Sequence, residues 1–333
     1  MVDLQPVELV AVIVATPGQT DPRVLVIGEP GGVPRLPSGP LLADHRSLQY
    51  GVRAWVRSQS GLDLGFVEQL YTFADRERTG PHGRVVSVSY LGLTSQVGLE
   101  EDARWRGWYE FFGWEDRRDL TDDAWLDRHA GLLEALRDWA ASAGDAVGDA
   151  VGGAVDTVGA ARWERIASAY GLQGRPWAPE NCLQRYELLW EAGLLPESTP
   201  SARAAAAARA TAHGRAPLDP ADLGQRMLHD HRRILATGIA RLRAKIQYRP
   251  VVFELMPEEF TLGRLQQTVE AVAGTAVHKQ NFRRIVEGQQ LVEETGRRAR
   301  DTGGRPAMLH RFRLEVLAER EVAGTKLPQP RTR

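Results

Sequence analysis

The chain is poor in cysteine. Cys182 is its single thiol in 333 residues. One cysteine closes no intramolecular disulfide and builds no thiolate zinc site, which fits a reducing compartment. It also lacks an excess of charge of either sign. Lys and Arg total 42 against 43 Asp and Glu, net −1. The whole chain is therefore no polycation, and any nucleic-acid surface must come from local clustering. Long apolar runs are missing too. Val7 to Ala15 is apolar but only nine residues long, and Asp3 precedes it with no Lys or Arg. That is too short to span a bilayer and lacks the basic start of a signal peptide, so it reads as a buried strand. The expectation is a cytoplasmic chain with no membrane partner. No P-loop, no G-x-S-x-G and no dinucleotide glycine fingerprint occurs, which removes the commonest nucleotide and acyl-transfer motifs.

What is present suits a globular protein of two or three domains, with 43% apolar and 26% charged residues. Glu8 to Ala15 and Arg23 to Ile27 read as the two strands of a hairpin or meander. Ser47 to Ser60 places Leu48, Val52, Trp55 and Val56 on one helical face, with Ser47 to cap its start and Gly61 to end it. Phe66 to Phe73 and Val85 to Leu93 read as further strands, joined by a polar hairpin-like connection at Asp75 to Gly83. Helical patterns follow at Trp125 to Trp139, Asn181 to Gly193 and Leu223 to Tyr248. Between the first two, Ala140 to Ala161 is almost all Ala, Gly, Val and Asp, a mobile linker or a low-complexity helix. From Thr261 a helix, a turn, a second helix at Lys279 to Glu287 and a strand at Met308 to Val316 follow in about 60 residues, the order of a winged helix-turn-helix. The predicted class is α+β. An α/β/α domain spans 1–118, a helical insert with linker or dimerisation role 119–248, the winged helix 249–320 and a tail 321–333.

The segment LPSGPLLADHRSLQYGVRAWVRSQSGL at Leu36 to Leu62 has the shape of a Nudix box, G-x5-E-x7-R-E-U-x-E-E-x-G-U. Anchored at Gly61 and Leu62, the first glutamate position falls on Arg46, the R-E pair on Ala54 and Trp55, and the E-E pair on Ser58 and Gln59. All four carboxylate positions are non-acidic. Hard divalent cations need anionic oxygen ligands, so metal-dependent pyrophosphate hydrolysis at this box is not expected, and no catalytic or metal-binding residue is assigned. The same segment also reads as an ordinary amphipathic helix. His229-Asp230-His231 tempts a metal reading, but residues i and i+2 on a helix do not share a face, which favours a polar helix surface. The aromatic cluster Trp105, Trp108, Tyr109, Phe111, Phe112 and Trp114 reads as core or an inter-domain seam, or as a surface that stacks an adenine.

Several stretches together resemble the Nudix-related transcriptional regulators of NAD metabolism, the NrtR family. They are VEQLYTF at Val67 to Phe73, GRVVSVSYLGL at Gly83 to Leu93, ARLRAKIQYRPVVFELMPEEFTLGRLQQTVEAV at Ala240 to Val272, HKQNFRRIVEGQQLVEETG at His278 to Gly296, and GRPAMLHRFR at Gly304 to Arg313. About 120 additional residues before the winged helix resemble the longer layout of the alphaproteobacterial NAD regulator NadQ. The resemblance implies a homodimeric repressor of NAD-biosynthesis genes. Its partners would be a double-stranded DNA operator and a sensed adenine nucleotide: NAD, ATP or ADP-ribose.

The residues of the C-terminal segment fit that implication. In Lys279 to Glu287, Phe282, Ile285 and Val286 face one way, while Gln280 and Arg284, flanked by Asn281 and Arg283, face the other. Arg reads guanine and Asn or Gln reads adenine in the major groove. From His278 to Arg313 there are nine Lys or Arg against four Asp or Glu. The candidate DNA-binding set is Lys279, Gln280, Asn281, Arg283, Arg284, Arg297, Arg298, Gly304 and Arg305, the last four on a turn suited to a minor groove. Candidate effector residues are Arg35, Arg46, Arg53, Tyr71 and Arg84. Two rivals stay open: a nucleotide hydrolase using Glu68, Glu100, Glu101, Asp102 or Glu110 as non-standard metal ligands, and a winged helix that binds protein.

Overall fold

A computed structural model of the chain describes residues 6–313 apart from 17–20, 30, 75–78, 81–82, 97, 101, 143–153, 221, 248–249 and 300–305. In chain order the elements are β1 (Val7–Ala15), β2 (Arg23–Ile27), β3 (Ser38–Pro40), α1 (Leu48–Ser60), β4 (Phe66–Phe73), β5 (Thr79–Gly80), β6 (Gly83–Arg84), β7 (Val86–Leu93) and β8 (Ala103–Gly107). Helices α2 (Asp122–Arg128), α3 (Ala130–Ala141), α4 (Ala154–Tyr170), α5 (Cys182–Glu191), α6 (Pro200–Ala212) and α7 (His231–Ile246) follow. The chain then forms α8 (Leu262–Ala273), α9 (Lys279–Gly288), β9 (Val292–Arg298) and β10 (Met308–Phe312).

A mixed sheet runs β4-β7-β1-β2-β8, with β3 also paired to β1. Strand β1 is parallel to β7 and antiparallel to β2 and β3. Its apolar run is explained by burial on both faces. Leu9, Ala11 and Ile13 join Val52 and Val56 of α1 in one core. On the other face Val12 meets α7 at Gly238, where a Cβ would stand 2.8 Å from the valine Cγ1. The result is an α/β/α sandwich with α1 and α7 as its outer layers. Helix α1 begins and ends as its sequence predicts. Ser47 Oγ accepts from the Tyr50 amide at 3.1 Å, and Gly61 closes the helix in the left-handed region at φ 74°.

The chain divides into two compact units, one made of Met1–Trp108 with Met227–Arg331 and the other essentially of Tyr109–Arg226. The expected boundaries at 118 and 248 therefore differ from the breaks near 108 and 226. The reason is α7. Its sequence reads as part of the middle region, yet its buried residues Ile234, Leu235, Ile239 and Leu242 cover the sheet of the first unit. His231, expected on a polar surface, is buried at the start of α7, and its Nδ1 accepts the Leu36 amide at 2.9 Å.

The second unit is helical and holds α2 to α6. Its core contains a buried ion pair. Arg185 Nε lies 2.6 Å from Glu115, and the same guanidinium donates to the carbonyls of Ala169, Ala178 and Pro179. Trp177 lies 3.8 Å from that guanidinium. Trp114, Trp125, Phe111 and Phe112 are fully buried in this unit, and Trp108 in the first. Trp108, Phe111, Phe112 and Trp114 of the aromatic cluster are therefore core, while Trp105 and Tyr109 are half-buried. Of the Ala/Gly-rich stretch, Ala154 onward belongs to α4, and 143–153 lie outside the described residues.

Candidate nucleic-acid interface and effector domain

The C-terminal module is built from short pieces locked at their ends. Thr261 Oγ1 caps α8 by accepting from the Arg264 amide at 3.1 Å, and Gly274 ends the helix at φ 72°. The turn into α9 is held by Glu270, whose Oε1 accepts the Val277 amide at 2.8 Å and the Gln266 amide group at 3.0 Å. The Gln266 side chain also donates to the Val277 carbonyl. Helix α9 runs one residue past the expected Glu287, through Gly288, and the chain turns at Gln290 with φ 50°. Strands β9 and β10 form an antiparallel hairpin. Phe260 adds a third edge through two backbone bonds with His310, at 2.9 and 2.8 Å. Phe253 stacks on Phe312 at 4.3 Å beneath it. Helix, strand edge, helix, helix and hairpin is the winged-helix order. Strand β9 is not evident in the sequence, because VEETGRR shows little apolar alternation.

Helix α9 buries Phe282 and Val286 and exposes Lys279, Gln280, Arg283 and Arg284. Asn281 is half-buried, and its Oδ1 accepts from Nη2 of the exposed Arg284 at 2.9 Å, so one nitrogen of the arginine's fork is tied to its own helix. Arg297 and Arg298 are exposed on β9, and Arg297 pairs with Glu259 at 2.9 Å. Gly304 and Arg305 lie outside the described residues.

The module is fastened to the sandwich within one unit. Arg243 of α7 donates through Nε to the Val272 carbonyl at 2.8 Å, at the end of α8. Thr16, just past β1, donates its hydroxyl to the Leu255 carbonyl at 3.0 Å. Across edge strand β4, α7 lays a row of cations against aromatic rings. Arg233 lies 5.5 Å from Phe73, Arg241 5.8 Å from Tyr71 and Lys245 5.5 Å from Phe66, and Lys245 also bonds Glu68. Sequence reading missed these α7 residues. Their signal, cations at 233, 241 and 245 against aromatics at 66, 71 and 73, becomes legible only once α7 and β4 are known to touch.

The effector candidates do not converge on one place. Tyr71 is 54% exposed on the α7 side of the sheet, whereas α1, which carries Arg53, lies on the other. Arg53 donates to the carbonyls of Leu64 and Gly65, bracing the segment after the helix. Arg46 is exposed with its guanidinium 5.0 Å from the Tyr50 ring. Arg35 pairs with Ile27 through its backbone, and Arg84 donates to the Ala74 carbonyl.

At the box, the last glutamate position is Gln59. Its amide donates to the Ser38 carbonyl at 2.8 Å and accepts the Ser38 amide at 3.2 Å. An ionised glutamate accepts only and could not make both bonds. Trp55, at the R-E position, donates to the Pro40 carbonyl at 2.9 Å and lies over Gly39, where any Cβ would meet the indole at 2.2 Å. Where a hydrolase would set ligands for a cation, this chain sets a clamp between α1 and β3. Among the described residues no group of three or more His, Cys, Asp or Glu is arranged to hold a metal ion, and no helix is long and apolar enough to cross a membrane.

Comparison with known proteins agrees with this geometry. Residues 252–312 match the NrtR DNA-binding winged helix domain family. A curated relative, the ADPR responsive transcriptional repressor NtrR of Acinetobacter baylyi, is 40% identical over 86 residues, covering 26% of this chain and 34% of that protein. The match thus spans about a third of the relative's length. The crystal structure of Shewanella oneidensis NrtR complexed with a 27mer DNA is similar in fold, with a TM-score of 0.52 at 18% identity over 94% of this chain and 95% of that one. The crystal structure of Shewanella oneidensis NrtR gives a TM-score of 0.51 at 18% identity, covering 93% and 94%. Residues 252–312 thus match the NrtR DNA-binding winged helix domain, and the chain shares the fold of the NrtR structures.

Proposed function

We propose that this chain is a homodimeric transcriptional repressor that binds operator DNA through α9 and the β9–β10 wing and senses an adenine nucleotide through its Nudix-like sandwich. One observation carries the reading. On α9, Gln280, Arg283 and Arg284 are exposed above a buried Phe282–Val286 footing, the side chains that read adenine and guanine edges. Arg297 and Arg298 on β9 add phosphate or minor-groove contacts, and Gly304 and Arg305, outside the described residues, complete the proposed set. The similar repressor of Acinetobacter baylyi is ADPR-responsive, which puts ADP-ribose ahead of NAD and ATP as the effector. NAD-biosynthesis genes are the proposed targets and the cytoplasm the proposed compartment. Arg35, Arg46, Arg53, Tyr71 and Arg84 remain the effector candidates. Because they occupy both sides of the sheet, Arg46 on one and Tyr71 on the other are the pair to test separately.

A non-enzymatic role is supported by Gln59, whose amide is committed to the Ser38 backbone. Of the rival ligands, Glu68 is engaged by Lys245, and Glu101 lies outside the described residues. The test has two arms. A panel of ADP-ribose, NAD, ATP, ADP and nicotinamide mononucleotide is run by thermal shift, where the ligand that prefers the folded state raises the melting temperature. The same panel with Mg or Mn is assayed for product. ADP-ribose should raise the melting temperature most and stay intact. Turnover at ordinary enzyme rates would establish the hydrolase instead.

A further inference from the structure

Helix α9 carries one acidic residue among its reading cations. Gln280, Arg283, Arg284 and Glu287 stand at i, i+3, i+4 and i+7 and share one exposed stripe of the helix. The glutamate sits there against local physics. It is in the last turn, where the helix dipole disfavours an anion. Arg283 and Arg284 precede it at i,i+4 and i,i+3 spacing, the poorer order for a helical ion pair. No ion pair or side-chain hydrogen bond ties Glu287 to any other described residue, and Arg284 turns instead to Asn281. A surface that only gathered phosphates would be weakened by a carboxylate at this spot.

Resting on the DNA-binding reading above, we infer that Glu287 is a specificity-determining residue whose carboxylate accepts the exocyclic amino group of a cytosine in the major groove. A carboxylate is the side chain suited to that donor, and guanine, which offers only acceptors on its major-groove edge, would be repelled at the same position. Arg284 and Gln280 attract the correct duplex, while Glu287 rejects wrong ones and lowers affinity for random sequence.

The experiment selects duplexes from a randomised pool with the wild-type full chain, then measures base preference at every position for wild type, Glu287→Ala, Glu287→Gln and Arg284→Ala. Far-ultraviolet circular dichroism checks that each variant keeps its helices. Glu287→Ala should lose a cytosine preference of about ten-fold at one base pair, leave the other positions unchanged, and bind random duplex more tightly than wild type. Arg284→Ala should lose preference at a different position. If Arg284→Ala changes the profile while that of Glu287→Ala superimposes on wild type, the glutamate is a solvated bystander and the inference falls alone. If the wild type itself shows no base preference, the DNA reading fails and takes this inference with it.

Discussion

At the scale of single residues, the account turns on which polar groups are tied down and which are left to meet a partner. Arg284 is exposed on α9 and oriented by the bond from its Nη2 to Asn281, so Arg284→Ala should cut affinity for a selected operator by about ten-fold or more while the protein stays folded. Binding by fluorescence anisotropy checks this, and undiminished affinity would remove Arg284 from the interface. Arg185 is the opposite case. It is fully buried on Glu115 and three carbonyls, and removing one partner strands a charge. Glu115→Ala should therefore destabilise the helical unit by about 3–5 kcal/mol, read from denaturant midpoints. His129 supplies a pH dependence. Its ring is buried, stacked on Trp125 at 4.5 Å with Nδ1 2.9 Å from the Trp125 carbonyl, and burial holds its pKa below the ordinary value. The unfolded chain then binds the proton first. Stability is complete above the ordinary histidine pKa near 6.5 and is lost as pH falls below it towards the lowered folded value. Melting temperature should fall between about pH 7 and 5, with a shallower slope in His129→Gln.

At the scale of elements, caps and turns determine whether α9 is presented correctly. Thr261→Ala removes the α8 cap and should cost about 1 kcal/mol. Glu270→Ala frees the Val277 amide and should loosen the helix-turn-helix angle, lowering operator affinity more than melting temperature. Equal losses in both would assign Glu270 to stability alone. Elements whose signal is local were legible in the sequence. Helix α1 was bounded by Ser47 and Gly61, α8 by Thr261 and Gly274, and β2 and β4 by their apolar runs. Elements whose reason is a partner were not. The three-residue strand β3 exists because it pairs with β1, and β8 (ARWRG) because it pairs with β2. No pattern within either segment announces that partner.

At the scale of the whole molecule, α7 is the connection that sequence reading assigned to the wrong neighbourhood. It covers β1 through Gly238, bonds Glu68 on β4 through Lys245, and holds the end of α8 through Arg243. An effector that shifts α7 against the sheet would bias the winged helix, because all three contacts belong to one unit. Arg243→Met should keep both DNA binding and nucleotide binding while reducing the effect of one on the other, measured as the ratio of operator affinities with and without nucleotide. The exposed polar face of α9 was legible because it is written in four or five adjacent side chains. The spatial relation of the effector candidates was not, because Arg53 and Tyr71 fold onto opposite sides of one sheet.

The most direct measurement is operator affinity of the full chain by anisotropy, using a duplex selected from a random pool, with and without ADP-ribose and across salt concentrations. The account predicts tight, salt-dependent and sequence-selective binding that ADP-ribose changes several-fold while remaining unhydrolysed. Equal affinity for selected and random duplex, or ADP-ribose consumed at enzymatic rates with no effect on binding, would contradict it.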